Sequence, residues 1–170
     1  MTRVGWITTT CFAVLFVGAS ALLHPVPKLI WNASASVPIG VYLLNPPGAL
    51  HIGELVLVRP PEALAVFLGK RGYLAMGVPL LKHVLALPGQ TVCRTGRTIT
   101  VDGMAMGDAL DRDRAGRILP GWWGCRIVAN DEVFFMNWQS ENSFDGRYFG
   151  PLPATTIVGR AAPLWIKEDD

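Results

Sequence analysis

Leu80-Leu81-Lys82-His83-Val84-Leu85-Ala86-Leu87-Pro88-Gly89 sets a lysine within an otherwise apolar run that reads as a strand. Side chains alternate along a strand, so Leu80, Lys82, Val84 and Ala86 share one face. A lysine on such a face either snorkels to a sheet edge or is buried with a lowered pKa. At its ordinary value of about 10.4, only about one amine in 2,500 is neutral at pH 7. A burial shift of roughly 3 units leaves nearly a third neutral, enough for a general base.

The sequence around this run has the same character. Val41–Leu44, Leu55–Arg59, Thr98–Val101, Glu132–Met136 and Ile157–Ile166 are further strand candidates between turn signals. Asp102-Gly103, between Thr98–Val101 and Met104–Met106, is a hairpin signal. One short helix is expected at Pro61–Lys70, with Pro at its first turn. Asp108–Gly124 mixes charges, Gly and Pro and reads as an exposed loop whose charge pairs form a solvated face. The 18 Gly and 13 Pro favour turns and short strands over a helical bundle. The expected fold is one all-β or β-rich domain over residues 29–170.

Composition narrows the function classes. The chain has 170 residues, of which 51% are hydrophobic and 16% charged, with a mean hydropathy of +0.34. That excludes a disordered or mainly solvated chain. A net charge of +2 gives no global field for nucleic acid. There is no phosphate loop and no aromatic–basic pattern, so no direct nucleic-acid binding is expected. His24, His51 and His83 are scattered, and no residue set has metal-ligand spacing.

The hydrophobicity is concentrated at the N-terminus. Val4–Leu23 carries no charged residue, and a helix of that length spans about 30 Å, the thickness of a bilayer core. Arg3 precedes it, Trp6 sits at its edge, and His24, Pro25, Pro27 and Lys28 follow. Residues 1–28 therefore read as a short N-terminus, a transmembrane anchor and a link. Ala19-Ser20-Ala21 resembles a cleavage site, but the stretch is long for a signal-peptide core. A buried core helix is the other alternative. The positive-inside rule weakly places the N-terminus in the cytoplasm and the domain outside. In an oxidising compartment Cys93 and Cys125 can pair, for about 3–4 kcal/mol on the chain-entropy argument; otherwise they are buried thiols.

Two more segments carry chemistry. In Asn32-Ala33-Ser34-Ala35-Ser36-Val37-Pro38-Ile39-Gly40-Val41-Tyr42, Ser34 and Ser36 point the same way if the backbone is extended. Pro38 biases Val37 to an extended conformation, and Gly40 permits close backbone approach. Asn32-Ala33-Ser34 also matches the glycosylation tripeptide. In Asn142-Ser143-Phe144-Asp145-Gly146-Arg147-Tyr148-Phe149-Gly150, Asp145 and Arg147 lie on one side of an extended segment. Taken alone, that pair reads as an exposed turn with an ion pair of little worth. His83 and Asp145 keep a Ser-His-Asp arrangement open.

These three segments, in this order behind one N-terminal anchor, resemble the type I signal peptidase family of serine-lysine proteases. The closer resemblance is to the conjugal-transfer (TraF-type) signal peptidases. It rests on Ser36-Val37-Pro38-Ile39-Gly40-Val41-Tyr42, on Lys82-His83-Val84 running into Leu87-Pro88-Gly89, and on Ser143 to Pro151. Val37, His83, Gln90 and Gly146 depart from the wider family, which has Met, a basic residue, Asp and often Ser there.

The resemblance implies a β-rich fold with an apolar surface resting on the membrane. It makes Ser36 the nucleophile and Lys82 its general base, with no cofactor. Ser34 would add a second oxyanion donor to the Ser36 N–H. Ser143 would orient the lysine, and Asp145 and Arg147 would hold the site together. It further implies a periplasmic domain on the bacterial inner membrane, the conjugation or type IV secretion machinery as partner, and a pilin precursor as substrate, cleaved and, by some TraF-type enzymes, circularised. A general signal peptidase for other preproteins and a non-catalytic component of a transfer complex are the alternatives.

Overall fold

The computed structural model describes residues 2–23 and 28–167; the side chains of residues 20–23 lie outside that description. So do the helix-ending His24, Pro25 and Pro27, and most of the Ala19-Ser20-Ala21 site. The first element is the helix α1, Arg3–Leu23. Its described side chains are almost all exposed, Phe16 at 78%, which removes the core-helix alternative. Thr8, Thr9 and Thr10 donate their hydroxyls to Val4, Gly5 and Trp6 carbonyls at 2.9–3.0 Å, so these polar groups are satisfied within the helix. Among the described residues, no helix is long and apolar enough to cross a membrane.

The remainder is β-rich, as expected. The strands are β1 (Leu29–Asn32), β2 (Gly40–Asn45), β3 (Leu55–Val58), β4 (Leu80–Ala86), β5 (Thr91–Thr95), β6 (Thr98–Val101), β7 (Met104–Asp108), β8 (Gly124–Ile127), β9 (Glu132–Phe135), β10 (Leu152–Pro153) and β11 (Ile157–Ile166). A seven-stranded sheet has the order β1-β2-β11-β3-β4-β9-β10, and a four-stranded sheet the order β7-β6-β5-β8. The paired strands run antiparallel. Helix α2 (Glu62–Arg71) starts after Pro61 and ends on Gly72, whose φ of 68° suits a residue without a Cβ. The one-turn helix α3 (Gly146–Phe149) replaces the extended segment expected there.

Three apolar clusters hold these layers. Tyr42, Leu44, Leu57 and Leu81 pack under β2. Val56, Val58, Val84 and Phe135 form the cluster around β3, β4 and β9, with Leu64 of α2 against it. Val92, Ile99, Val101 and Phe134 join the two sheets. Alternation along β4 holds from Leu80 to Val84, and then a bulge between Val84 and Ala86 moves Ala86 into the junction cluster. Cys93 and Cys125 are cross-strand partners in β5 and β8 and form a disulfide. Gly40 is obligatory: a Cβ there would lie 2.1 Å from the Trp165 carbonyl oxygen of β11.

Candidate active site

The Ser36 loop is shaped by an amide that sequence reasoning did not single out for that role. Asn32 ends β1 and is buried. Its Nδ2 donates to the carbonyls of Ser34, Val37 and Pro38 at 2.9–3.0 Å, and its Oδ1 accepts from the Ser34 N–H at 3.1 Å. One side chain thus satisfies backbone groups that no strand partner could reach. The chain curls into a turn rather than extending, yet Ser34 and Ser36 still meet, Oγ to Oγ at 2.9 Å. The amide that the glycosylation tripeptide requires is buried and committed to this turn.

Lys82 comes from β4 and is 3% exposed. Its Nζ donates to Ser143 Oγ at 2.6 Å. Burial pulls its pKa down to about 8, with Asp145 pulling it up and Arg147 pushing it down. The edge-strand alternative is excluded, because β4 lies between β3 and β9. Among the described residues no hydrogen bond joins Lys82 to Ser36, but both line one cleft of about 510 Å³ with Ser34 and Ser143.

Beneath the lysine lies the Asp145–Arg147 pair, and it is not an exposed turn. Both side chains are at most 2% exposed. Asp145 Oδ1 accepts from Arg147 Nε and Oδ2 from Arg147 Nη2, each at 2.9 Å, a two-pronged charge-assisted bond. Asp145 also caps α3 through the Arg147 N–H. Arg147 reaches the Ser140 and Ser143 carbonyls at 2.7 and 3.2 Å, fixing the loop that carries Ser143. Gly146, the departure from the wider family, has no room for a side chain: a Cβ would lie 2.5 Å from the Phe135 carbonyl oxygen and 2.7 Å from the Phe134 ring.

Asn137 is a second amide hub missed from sequence. It accepts from the His83 N–H, donates to the Leu81 carbonyl, and gives its own N–H to Asp145 Oδ2. It therefore bridges the lysine's strand to the buried pair. Asn137 Oδ1 also lies 3.0 Å from His83 Nδ1. That closes the Ser-His-Asp option, since His83 is bonded to Asn137 and both Asp145 oxygens are otherwise engaged. Gln90 takes over at the Pro-Gly turn, accepting from the Leu87 N–H and donating to Asp102.

The Asp108–Gly124 segment is largely exposed, as expected, yet part of it also builds the cleft. Its Arg112–Ile118 bridge makes a small hairpin, and Leu110, Asp113, Arg114 and Arg117 line the cleft. Behind the second sheet, Arg94 Nη1 donates to the Arg147 carbonyl at 2.6 Å and Trp122 Nε1 to the Gly146 carbonyl at 2.9 Å. The disulfide-bonded strands β5 and β8 thus brace α3 through the neighbours of Cys93 and Gly124.

A buried amine and paired serines thus line one cleft on a β-rich frame. The family model described as "signal peptidase, peptidase S26" matches residues 1–166, and the chain belongs to that family of serine peptidases. It is 37% identical over 142 residues to a probable conjugal transfer protein TraF of Sinorhizobium fredii, spanning 76% of this chain and 73% of that one. It is 33% identical to a plasmid transfer protein TraF of Escherichia coli, over 78% of this chain and 80% of that one. A signal peptidase I of Leptolyngbya laminosa is 28% identical over 71% of this chain and 53% of its own. A crystal structure of a signal peptidase I from Enterococcus faecalis aligns over 66% of this chain and 97% of its own at 16% identity, with a TM-score of 0.40.

Proposed function

We propose that this chain is a membrane-anchored serine endopeptidase that processes a pilin precursor for conjugative DNA transfer. The observation that carries this reading is the buried Lys82 amine, held near a pKa of 8 in the cleft that Ser36 lines. At that value about one amine in ten is neutral at pH 7, against about one in 2,500 for an exposed lysine. The role in conjugation comes from the relatives named as conjugal and plasmid transfer proteins.

In this mechanism the Ser36 hydroxyl leaves Ser34 and turns to Lys82. Neutral Lys82 takes its proton as Ser36 Oγ attacks the scissile carbonyl. The oxyanion is held by the Ser36 N–H and the Ser34 hydroxyl, each donor worth about 3–4 kcal/mol in the transition state. The protonated amine then gives its proton to the leaving nitrogen, which frees the product and leaves an acyl-Ser36 ester. Water attacks the ester with Lys82 again as base. A pilin amino group attacking instead would close a circle. Ser143, already 2.6 Å from the amine, fixes its direction.

The anchor is α1, whose uncharged run and internally bonded threonines suit hydrocarbon. Next to it in the chain, Leu29 and Trp31 of β1 are exposed, and Trp31 stacks on Trp165 of β11 at 6.1 Å. This apolar edge suits a domain lying on the outer face of the inner membrane, in the periplasm. The disulfide fits an oxidising compartment. A general role in preprotein export is the second reading, favoured by the likeness to signal peptidase I.

The test compares pilin-precursor processing in membranes by wild type, Ser36→Ala and Lys82→Met. Both variants are expected to remain folded and membrane-bound while processing stops. Product mass then separates a linear peptide from one lighter by a water. Normal processing by either variant would overturn the serine–lysine assignment. It would leave the chain as a structural partner of another peptidase.

A further inference from the structure

The end of the cleft formed by α2 and the Asp111–Leu119 hairpin has no role in the chemistry above. The hairpin is built on Asp113. Its Oδ1 accepts from the Ala115 and Arg117 N–H groups at 2.9 and 2.8 Å, and its Oδ2 from Arg117 Nε at 2.7 Å and from the Tyr73 hydroxyl. Arg117 Nη2 donates to the Arg71 carbonyl at 3.0 Å, tying the hairpin to the end of α2. Asp113 is the one carboxylate among the cleft-lining residues, and these bonds consume it.

Arg71 has Tyr73, Phe67 and Asp113 as neighbours but no close acceptor for Nη1. Its guanidinium lies over the Phe67 ring at 4.9 Å, and Nη1 comes no nearer than 3.7 Å to Asp113 Oδ2. That Nη1 is the one buried side-chain donor among the described residues with no hydrogen bond. Nη1 is closed to solvent and faces Asp113, so what Arg71 can offer a ligand is the remaining, exposed part of its side chain. The Arg71 side chain is 25% exposed and lines the cleft. Arg114, exposed on the hairpin, lines it too, and among the described residues it has no hydrogen bond or ion pair. Three arginines and Lys82 thus face a cavity with one spent carboxylate.

We infer that this end of the cleft is a subsite for a carboxylate of the peptide substrate, with Arg71 and Arg114 as its donors. The inference rests on the reading of the cleft as a peptidase site. A guanidinium matches a carboxylate in shape as well as charge, and a half-enclosed setting strengthens the bond. The carboxylate has two chemical sources. One is an Asp or Glu side chain near the scissile bond. The other is the terminal carboxylate of a substrate cut close to its end.

The test uses the full chain in detergent and ten-residue peptide mixtures with randomised, alanine-rich centres. Cleavage is read by mass spectrometry. One arm compares free-acid with amidated C-termini; the other compares Glu with Gln at each position. Competing the two members of a pair in one tube gives a ratio of kcat/KM that is independent of the fraction of folded enzyme. The acid member is expected to win by about tenfold or more in one arm, the usual worth of a charged hydrogen bond. The arm in which it wins identifies the source. In Arg71→Gln and in Arg114→Gln the ratio is expected to fall toward one, and Arg71→Lys is expected to keep part of it. A wild-type ratio near one in both arms, or a ratio unmoved by both glutamine variants, would overturn the subsite while leaving the peptidase reading intact. Cleavage of no peptide by wild type would instead remove that reading, and the subsite with it.

Discussion

Asp145–Arg147 and Asp113–Arg117 are the same chemical pair in two settings. The first is at most 2% exposed and lies under Lys82. In the second Arg117 is 41% exposed, at the cleft rim. Both pairs look alike in the sequence, as short-range opposite charges in Gly-containing segments. The buried pair is out of water and surrounded by carbonyls and N–H groups that only a matched pair can satisfy. In the rim pair Asp113 is 9% exposed but Arg117 reaches solvent, which screens the pair from one side. Burial, rather than spacing or partner identity, separates a pair that the fold depends on from one that shapes a surface.

The sharpest way to break this contrast is Arg147→Ala. It strands a buried carboxylate, and the expected loss is about 3–5 kcal/mol, read as a lower denaturation midpoint. An unmoved midpoint would mean that water enters the site and that the two settings are alike.

Lys82→Met tests the charge that the buried pair surrounds. Lys82 has a pKa of 10.5 unfolded and about 8 folded. Between those values the unfolded chain binds more protons, so stability rises with pH through that window. Below about 8 the fold carries the full cost of the buried charge, about 3 kcal/mol for a shift of this size. Lys82→Met is therefore expected to be more stable than wild type at pH 7, with the gap closing toward pH 10.5. Urea titrations at both pH values check it, and a gap constant with pH would refute it.

The smallest effect is expected from Arg117→Ala. The denaturation midpoint should move far less than in Arg147→Ala, because the other Asp113 contacts remain. A shift as large as that of Arg147→Ala would show that the rim pair bears on the fold after all.

The parts of this molecule legible in its sequence are those where one residue's neighbours along the chain decide its fate. The strands β3, β4, β6 and β11 and the helix α2 fall within a residue or two of expectation. Strands β5 and β8 carry weak signals: β5 alternates in burial but sets Arg94 on its buried face, and every β8 residue is exposed. They are strands because they pair with each other and are bridged at Cys93 and Cys125. The cleft shows the same division. Ser34, Ser36, Lys82 and Ser143 stood out as motif residues, and the fold brings them to one cavity. Asn32 and Asn137 carry no charge and no periodicity, so their bonds to distant backbone could not be read before the fold was known. Arg71 and Asp113 were passed over because exposed charges are common and most do nothing.

The order of strands in the large sheet bears on when the cleft can form. The Ser36 loop leads into β2, and Lys82 sits on β4, which pairs with β3. Between β2 and β3 in the sheet lies β11, the last described strand to be made. A ribosome that has finished β1 to β10 has produced both halves of the cleft but not the strip that joins them. Until β11 is in place, nothing holds β2, which follows the Ser36 loop, in register with β3 and its neighbour β4, which carries Lys82.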